Sequence, residues 1–279
     1  FILLSFSLLF LSRPNSSMDP IESKIRERKG AILEFAKALI SIPTQNPPKE
    51  NYPKIVERIK QELSSEGMEF KVHSKIPSKP NLVVKWNVGA AKTLHLNGHY
   101  DVVPASQNWK HKPFEPVIED GKLFGRGAQD MKSSLACTVY AVKILKELNL
   151  KPSCNIELSF TCDEESGGED GAGFLVKNKL VKPDFVLIID GQRPEVTFAH
   201  KGILAMEITV IGKPSHAAYP KNGVNAFLGA CKLAEQLNAL NEEFAKIKSK
   251  LPTLDPAVAS PTLVLGGETK GGIKFNTVP

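Results

Sequence analysis

Cysteine is scarce: Cys137, Cys154, Cys162 and Cys231 are the 4 in 279 residues, and no two stand in C-x-x-C spacing. This excludes a disulfide-stapled scaffold and points to reduced, mostly buried thiols, hence to an intracellular compartment. No apolar run reaches the roughly 20 residues that a membrane-spanning helix needs. Phe1 to Leu11 has only the size of a signal-peptide core and carries no basic residue before it. Lysines are spread along the chain, and no basic run is interleaved with aromatics. The net charge of +6 therefore reads as a solvated lysine-rich surface and not as a nucleic-acid groove. An anionic substrate stays compatible with it. Internal repeats and low-complexity segments are absent. A phosphate loop is excluded as well: Gly125 and Gly127 lead to Met131-Lys132, without the Gly-Lys-Ser/Thr that such a loop requires.

What is present is ordinary for a globular chain, with 42% hydrophobic and 24% charged residues in a length that suits one large or two average domains. Met18-Asp19-Pro20 reads as a more natural start than Phe1, so residues 1–17 are expected to be an upstream or signal-like segment outside the fold. The sequence ends at Pro279, just past a glycine-rich stretch, and reads as a fragment. Helical apolar spacing runs over residues 21–42 until Pro43, and again over residues 54–65. Residues 68–73, 82–86 and 93–96 carry strand patterns. His73 falls on the polar phase of its strand and is expected to be exposed. His95 carries no special claim, His111 is placed in a surface loop, and His200 is left structural.

The organising stretch is Phe160 to Gly168, F-T-C-D-E-E-S-G-G. A buried-strand signal over residues 156–160 ends in Asp163, Glu164 and Glu165, then Gly167-Gly168. Neighbouring carboxylates at a strand end repel one another unless solvent, a shared proton or a cation offsets the charge. Upstream, G-H-Y-D-V-V-P sets His99 and Asp101 two residues apart, on the same side of an extended backbone, where a carboxylate can accompany a metal-binding imidazole. Asp130 opens an amphipathic helix expected over residues 131–148, and reads either as its N-cap or as a rigidly held carboxylate. A short helix is expected near residues 169–179. The strand D-F-V-L-I-I-D ends in Asp190. His99, Asp101, Glu164, Glu165 and Asp190 thus lie at or just past the carboxyl ends of apolar strands, the edge where open α/β sheets bind ligands. One imidazole among several carboxylates suits borderline to hard divalent ions, and a bridging carboxylate would let two ions share the site.

In order along the chain, G-H-Y-D-V-V-P, W-K-H-K-P-F, D-G-K-L-F-G-R-G-A-Q-D-M-K, T-C-D-E-E-S-G-G, D-F-V-L-I-I-D, G-K-P-S-H-A-A-Y-P and K-G-G-I-K-F-N-T-V-P resemble the M20 family of metallopeptidases and deacylases, of the acetylornithine deacetylase and succinyl-diaminopimelate desuccinylase type. The resemblance covers about residues 31–279. It implies an α/β, zinc-peptidase-like catalytic domain over residues 18–197, with a mixed sheet flanked by helices. It also implies an incomplete α+β, ferredoxin-like lid and dimerisation domain over residues 198–279, with strands from Phe198 and a helix over residues 224–244.

By position, the resemblance makes His99, Asp130, Glu165 and Asp190 metal ligands. Asp130 bridges two zinc ions (cobalt being the alternative), and its peptide bond to Met131 is cis. Asp101 steers the His99 imidazole, and Glu164 is the general base. In the lid, His216 and Asn276 contact substrate. The implied reaction is release of an acyl group from an N-acyl amino acid or related amide by a metal-bound hydroxide. A dipeptidase or carboxypeptidase of the same family, or a non-catalytic binding or dimerisation module, stands as the alternative. A complete member continues past Pro279 and returns a further histidine to the second metal. None of the 6 histidines here fills that position, so the fragment itself is expected to bind that metal weakly. The resemblance further implies a cytoplasmic homodimer acting on a small-molecule amide or short peptide, with no nucleic-acid or membrane partner. Secretion is the alternative should residues 1–17 be a trimmed signal.

Overall fold

Asp19 caps the first helix, its carboxylate accepting the Ile21 N–H at 2.9 Å with Pro20 in the first turn, where a missing N–H costs nothing. The computed structural model describes residues 19–191, 196–252, 254–262, 265–266 and 277–278. It divides after Glu195 into two units.

In the first unit, helix α1 (Pro20–Ile40) buries Ile32, Phe35, Ala36, Leu39 and Ile40. Helix α2 (Tyr52–Leu63) buries Tyr52, Ile55, Val56, Ile59 and Leu63, an i, i+3, i+4, i+7 stripe. Helix α3 (Ser133–Glu147) completes the layer. It starts two residues later than the sequence pattern suggests. Asp130 and Met131 have non-helical backbone, and the peptide bond between them is cis, as the family resemblance implies.

The sheet runs β1 (Glu69–His73), β2 (Asn81–Trp86), β6 (Asn155–Thr161), β3 (Thr93–His99), β7 (Phe185–Ile188). The pairs β1/β2 and β2/β6 are antiparallel, and β6/β3 and β3/β7 are parallel, so the sheet is mixed and its three last strands end on one edge. Its apolar face, with Leu82, Val84, Ile156, Leu158 and Phe160, packs with the three helices into one core. On its other face β3 and β6 carry a buried polar cluster, and Val83 joins Leu175 and Val181 in a small apolar one. His95 lies 2.8 Å from Glu157 and 2.8 Å from Ser159, and Asn97 donates to Ser159 at 2.7 Å. Every polar atom so named has a partner, which is the condition for burying it. A short β4 (Val117–Glu119) and β5 (Lys122–Phe124) form a separate hairpin. Helix α4 (Ala172–Lys177) is shorter than the segment expected from sequence.

One histidine sits differently from expectation, and a second lies in the loop expected for it. His73 is half-buried while Val72 is exposed, because β1 is an edge strand. His111 is half-buried, with Nε2 2.7 Å from Glu119 and its ring against Phe124.

In the second unit, helix α5 (Ala226–Phe244) is capped by Asn225, which accepts the Leu228 N–H at 3.0 Å. A two-residue pair joins β8 (Ser215–His216) to β9 (Thr277–Val278). The strand pattern beginning at Phe198 is not realised: residues 196–212 form no strand, and Phe198, Ile203 and Leu204 stand exposed. Strand-forming composition needs a partner edge, and among the described residues this segment has none. Among those residues no helix is long and apolar enough to cross a membrane.

Candidate metal centre

Strand β3 delivers His99 to the edge where three parallel strands end. The imidazole is buried, and Gly98 before it is packed so closely that a Cβ there would meet Leu135 and Met131. The Nδ1 atom faces the Asp101 backbone carbonyl at 3.0 Å. A proton on Nδ1 donated to that carbonyl leaves the Nε2 lone pair pointing at the site, the tautomer a metal needs. Around Nε2 stand Asp130 Oδ1 at 3.0 Å, Asp190 Oδ2 at 3.5 Å and Glu164 Oε2 at 3.9 Å.

Donor atoms of His99, Asp130 and Asp190 lie within 4.8 Å of one another, and so do those of His99, Glu164 and Glu165. Ligands about a tetrahedral ion with bonds of 2.0–2.1 Å sit roughly 3.4 Å apart, so the first group has the spacing of a shared ion. The donor set fits as well, since one neutral imidazole and carboxylates suit a divalent ion. The family resemblance gives His99 to one metal, Asp130 to the bridge, Glu165 to the second metal and Asp190 to a further ligand position. The structure sets Asp130 and Asp190 in one group and Glu165, beside Glu164, in the other. The Glu165 carboxylate accepts the Val103 N–H at 3.1 Å.

The electrostatics point the same way. Burial disfavours a charged His99, yet Asp101, Asp130 and Asp190 outweigh it and push the imidazole up to about 12. A proton held that firmly marks a field that favours a cation. Burial, with Asp190, Asp101 and Asp130 adding to it, raises the Glu164 carboxyl. Burial and Asp130 raise that of Glu165. The hydrogen bond to His99 lowers Asp130.

Asp101 does more than accompany His99. It is fully buried, and its Oδ1 accepts the Glu164 N–H and its Oδ2 the Glu165 N–H, each at 3.2 Å. Asn46 donates to the same carboxylate at 2.7 Å and accepts from Ser166 at 2.8 Å. Asn46 comes from the Pro- and Asn-rich loop, where Val102 N–H bonds Thr44 and Asn46 N–H bonds Val102. Nothing in the sequence marked that loop, residues 43–53, as part of the site beyond its dense turn chemistry between two helices. Lys132 was also missed: its Nζ is buried and donates to the Ile42 carbonyl at 2.6 Å, and burial pushes it down to about 7 against the pull of Asp101. His216, in the second unit, is exposed and accepts the Ala218 N–H on Nδ1 at 3.1 Å. Asn276 lies outside the described residues.

The chain is similar to known metallohydrolases. An uncharacterized metallohydrolase of Methanocaldococcus jannaschii is 36% identical over 194 residues, covering 64% of this chain and 47% of that protein. A probable succinyl-diaminopimelate desuccinylase of Staphylococcus epidermidis is 30% identical over 263 residues, covering 86% of this chain and 63% of its own length. The chain thus spans less than two thirds of either relative. An M20 family metallo-carboxypeptidase from Sulfolobus solfataricus superposes with a TM-score of 0.52 at 27% identity, over 57% of this chain and 37% of that one. Residues 95–260, more than half of the chain, match the model of peptidase family M20/M25/M40, and they include the strand ends that bring His99, Asp130, Glu164 and Asp190 together: the chain belongs to that family.

Proposed function

We propose that this chain carries the metal-binding half of an amidohydrolase that releases an acyl group from an N-acyl amino acid or a related amide. The observation that carries the reading is the ring of three carboxylates around His99 Nε2. His99, Asp130 and Asp190 would hold one divalent ion, and Glu165 with Asp130 would serve a second. Zinc suits the mixed imidazole and carboxylate donors best, with cobalt close behind. Such an ion supplies Lewis acidity, polarising an amide carbonyl and making water acidic near neutral pH.

The protein's own groups do the rest. Asp101 holds the backbone of Glu164 and Glu165 still. The Glu164 carboxylate, its side chain 56% exposed at the rim, takes a proton from the attacking water. It then returns that proton to the amide nitrogen as the carbon–nitrogen bond breaks, so the amine leaves neutral. The partial desolvation that raises its pKa brings it toward the value at which one group both accepts and releases a proton. His216 and Asn276 are proposed as substrate contacts from the second unit, and that unit as the homodimer contact, on the family resemblance alone.

A second reading, cleavage of a C-terminal residue from a peptide, is favoured by the likeness to the metallo-carboxypeptidase. Equilibrium dialysis against zinc and cobalt, followed by release assays on N-acetyl and N-succinyl amino acids and on dipeptides, tests both readings. Zinc bound by the wild type and lost in Asp130→Ala/Asp190→Ala supports the centre. No binding by the wild type sinks it. Faster release from acyl amino acids than from dipeptides supports the first reading, and the reverse order supports the second.

A further inference from the structure

The loop that carries Glu164 and Glu165 is closed from behind by a buried cation. Lys79 is 7% exposed, and its Nζ donates to Asp163 Oδ1 at 3.0 Å and to Asp170 Oδ2. Asp163 and Asp170, themselves buried, stand at the two ends of that loop. Asp163 is in the left-handed region at φ 70°, a conformation that turns the chain sharply out of β6 into the glutamate pair. The same junction is also sewn together by bonds from backbone and amide N–H groups. Asp170 N–H donates to Asp163 Oδ2 at 3.3 Å, Asn81 donates to the Asp170 carbonyl at 2.9 Å, and Cys162 N–H donates to Asn81 at 3.1 Å. Lys49 reaches Asp163 Oδ1 at 3.1 Å and Lys75 reaches Asp170 Oδ1 at 2.7 Å, but both are more exposed. Lys79 alone among these lysines touches both aspartates.

We propose that Lys79 is a positioning residue for Glu164 and Glu165. By bridging Asp163 to Asp170 it fixes the loop from behind, while Asp101 fixes the two glutamate N–H groups from the sheet side. Two further considerations make the lysine more than a stabiliser of the fold. Removing it leaves each buried aspartate with a single, more exposed lysine and takes away the one cation buried between them, a costly loss for buried carboxylates. It also leaves part of their negative charge unbalanced beside Glu164 and Glu165, two acids that already face the carboxylates of the metal centre. The loop relieves that repulsion by moving, and the glutamates move with it. The inference rests on the metal-centre reading above.

Zinc titration calorimetry on the whole chain tests it, using Lys79→Met and the nearly isosteric Asp163→Asn, each below its melting transition and checked for native far-UV circular dichroism. Zinc affinity is expected to fall about 10- to 100-fold in both, the range seen when a group that orients metal ligands is lost, with Lys79→Arg recovering most of it. A purely structural lysine would lower the melting temperature and leave zinc affinity untouched. Should Lys79→Met fail to fold, Asp163→Asn decides: wild-type affinity in that variant overturns the role of Lys79. If the wild-type chain binds no zinc, the metal centre itself fails and the positioning role falls with it. Zinc bound by the wild type and equally by the folded variants refutes the positioning role alone.

Discussion

Asp101 Oδ1 accepts the backbone N–H of Glu164 at 3.2 Å. With Oδ2 on the Glu165 N–H, one fully buried carboxylate clamps consecutive amides of the loop that carries the candidate base. The His99 ring lies closer to the Asp101 carbonyl, at 3.0 Å, than to its carboxylate, at 3.4 Å. Asp101 therefore orients His99 through its backbone and the glutamates through its side chain.

Asp101→Asn keeps the size of the side chain but replaces one acceptor with a donor facing an N–H. One partly buried amide loses its partner, at a cost of about 1 kcal/mol. Zinc affinity measured by calorimetry is expected to drop about 10- to 100-fold. Unchanged affinity would show that the two amide bonds do not matter to the site.

Glu164→Gln separates proton transfer from metal binding. Turnover is expected to fall about 10²- to 10⁴-fold while zinc content, measured by atomic absorption, stays at the wild-type level. Loss of both, or of neither, contradicts the division of labour between Glu164 and Glu165.

Glu62 ties α2 to α3, accepting from Tyr140 at 2.8 Å and from Lys143 at 2.9 Å. Burial alone would raise its carboxyl, but Lys143, Tyr140 and Arg58 outweigh that and hold it below its usual value. The folded state thus releases this proton more readily than the unfolded one. The stabilisation is complete above the unfolded value of about 4.3 and is lost as pH falls through the lower folded value. Glu62→Gln should cost about 1–3 kcal/mol at pH 7, with the gap to wild type closing in acid. Urea melts at pH 7 and pH 3 check this. A gap that widens in acid refutes it.

Gly171 has no room for a side chain, since a Cβ there would run into the backbone carbonyl of Cys162. Backbone cannot swing aside as a flexible side chain does, so Gly171→Ala must shift the end of β6 and the glutamates beyond it. Both the melting temperature and zinc affinity are expected to fall. Gly67→Ala, where no atom lies within 4 Å but φ is +60°, should lower only the melting temperature. Equal zinc affinities in the two variants would contradict this.

The sequence by itself determined the three long helices and the main sheet strands of the first unit, and it marked out the acids and the imidazole of the candidate site. Apolar spacing that repeats every 3.6 or 2 residues records which face is buried, and Glu164, Glu165 and Asp190 stood out because acids ending apolar strands need a reason to be there, whereas the ligand roles of His99, Asp130, Glu165 and Asp190 came from the family resemblance. Tertiary structure alone decided what holds those residues. Asn46, Lys79 and Lys132 come from segments distant in sequence, and nothing local distinguishes them from surface polar residues. Only the folding of those segments against β6 and β3 makes them buried, and only burial turns an ordinary amide or ammonium group into a fixed partner for a particular carboxylate or carbonyl.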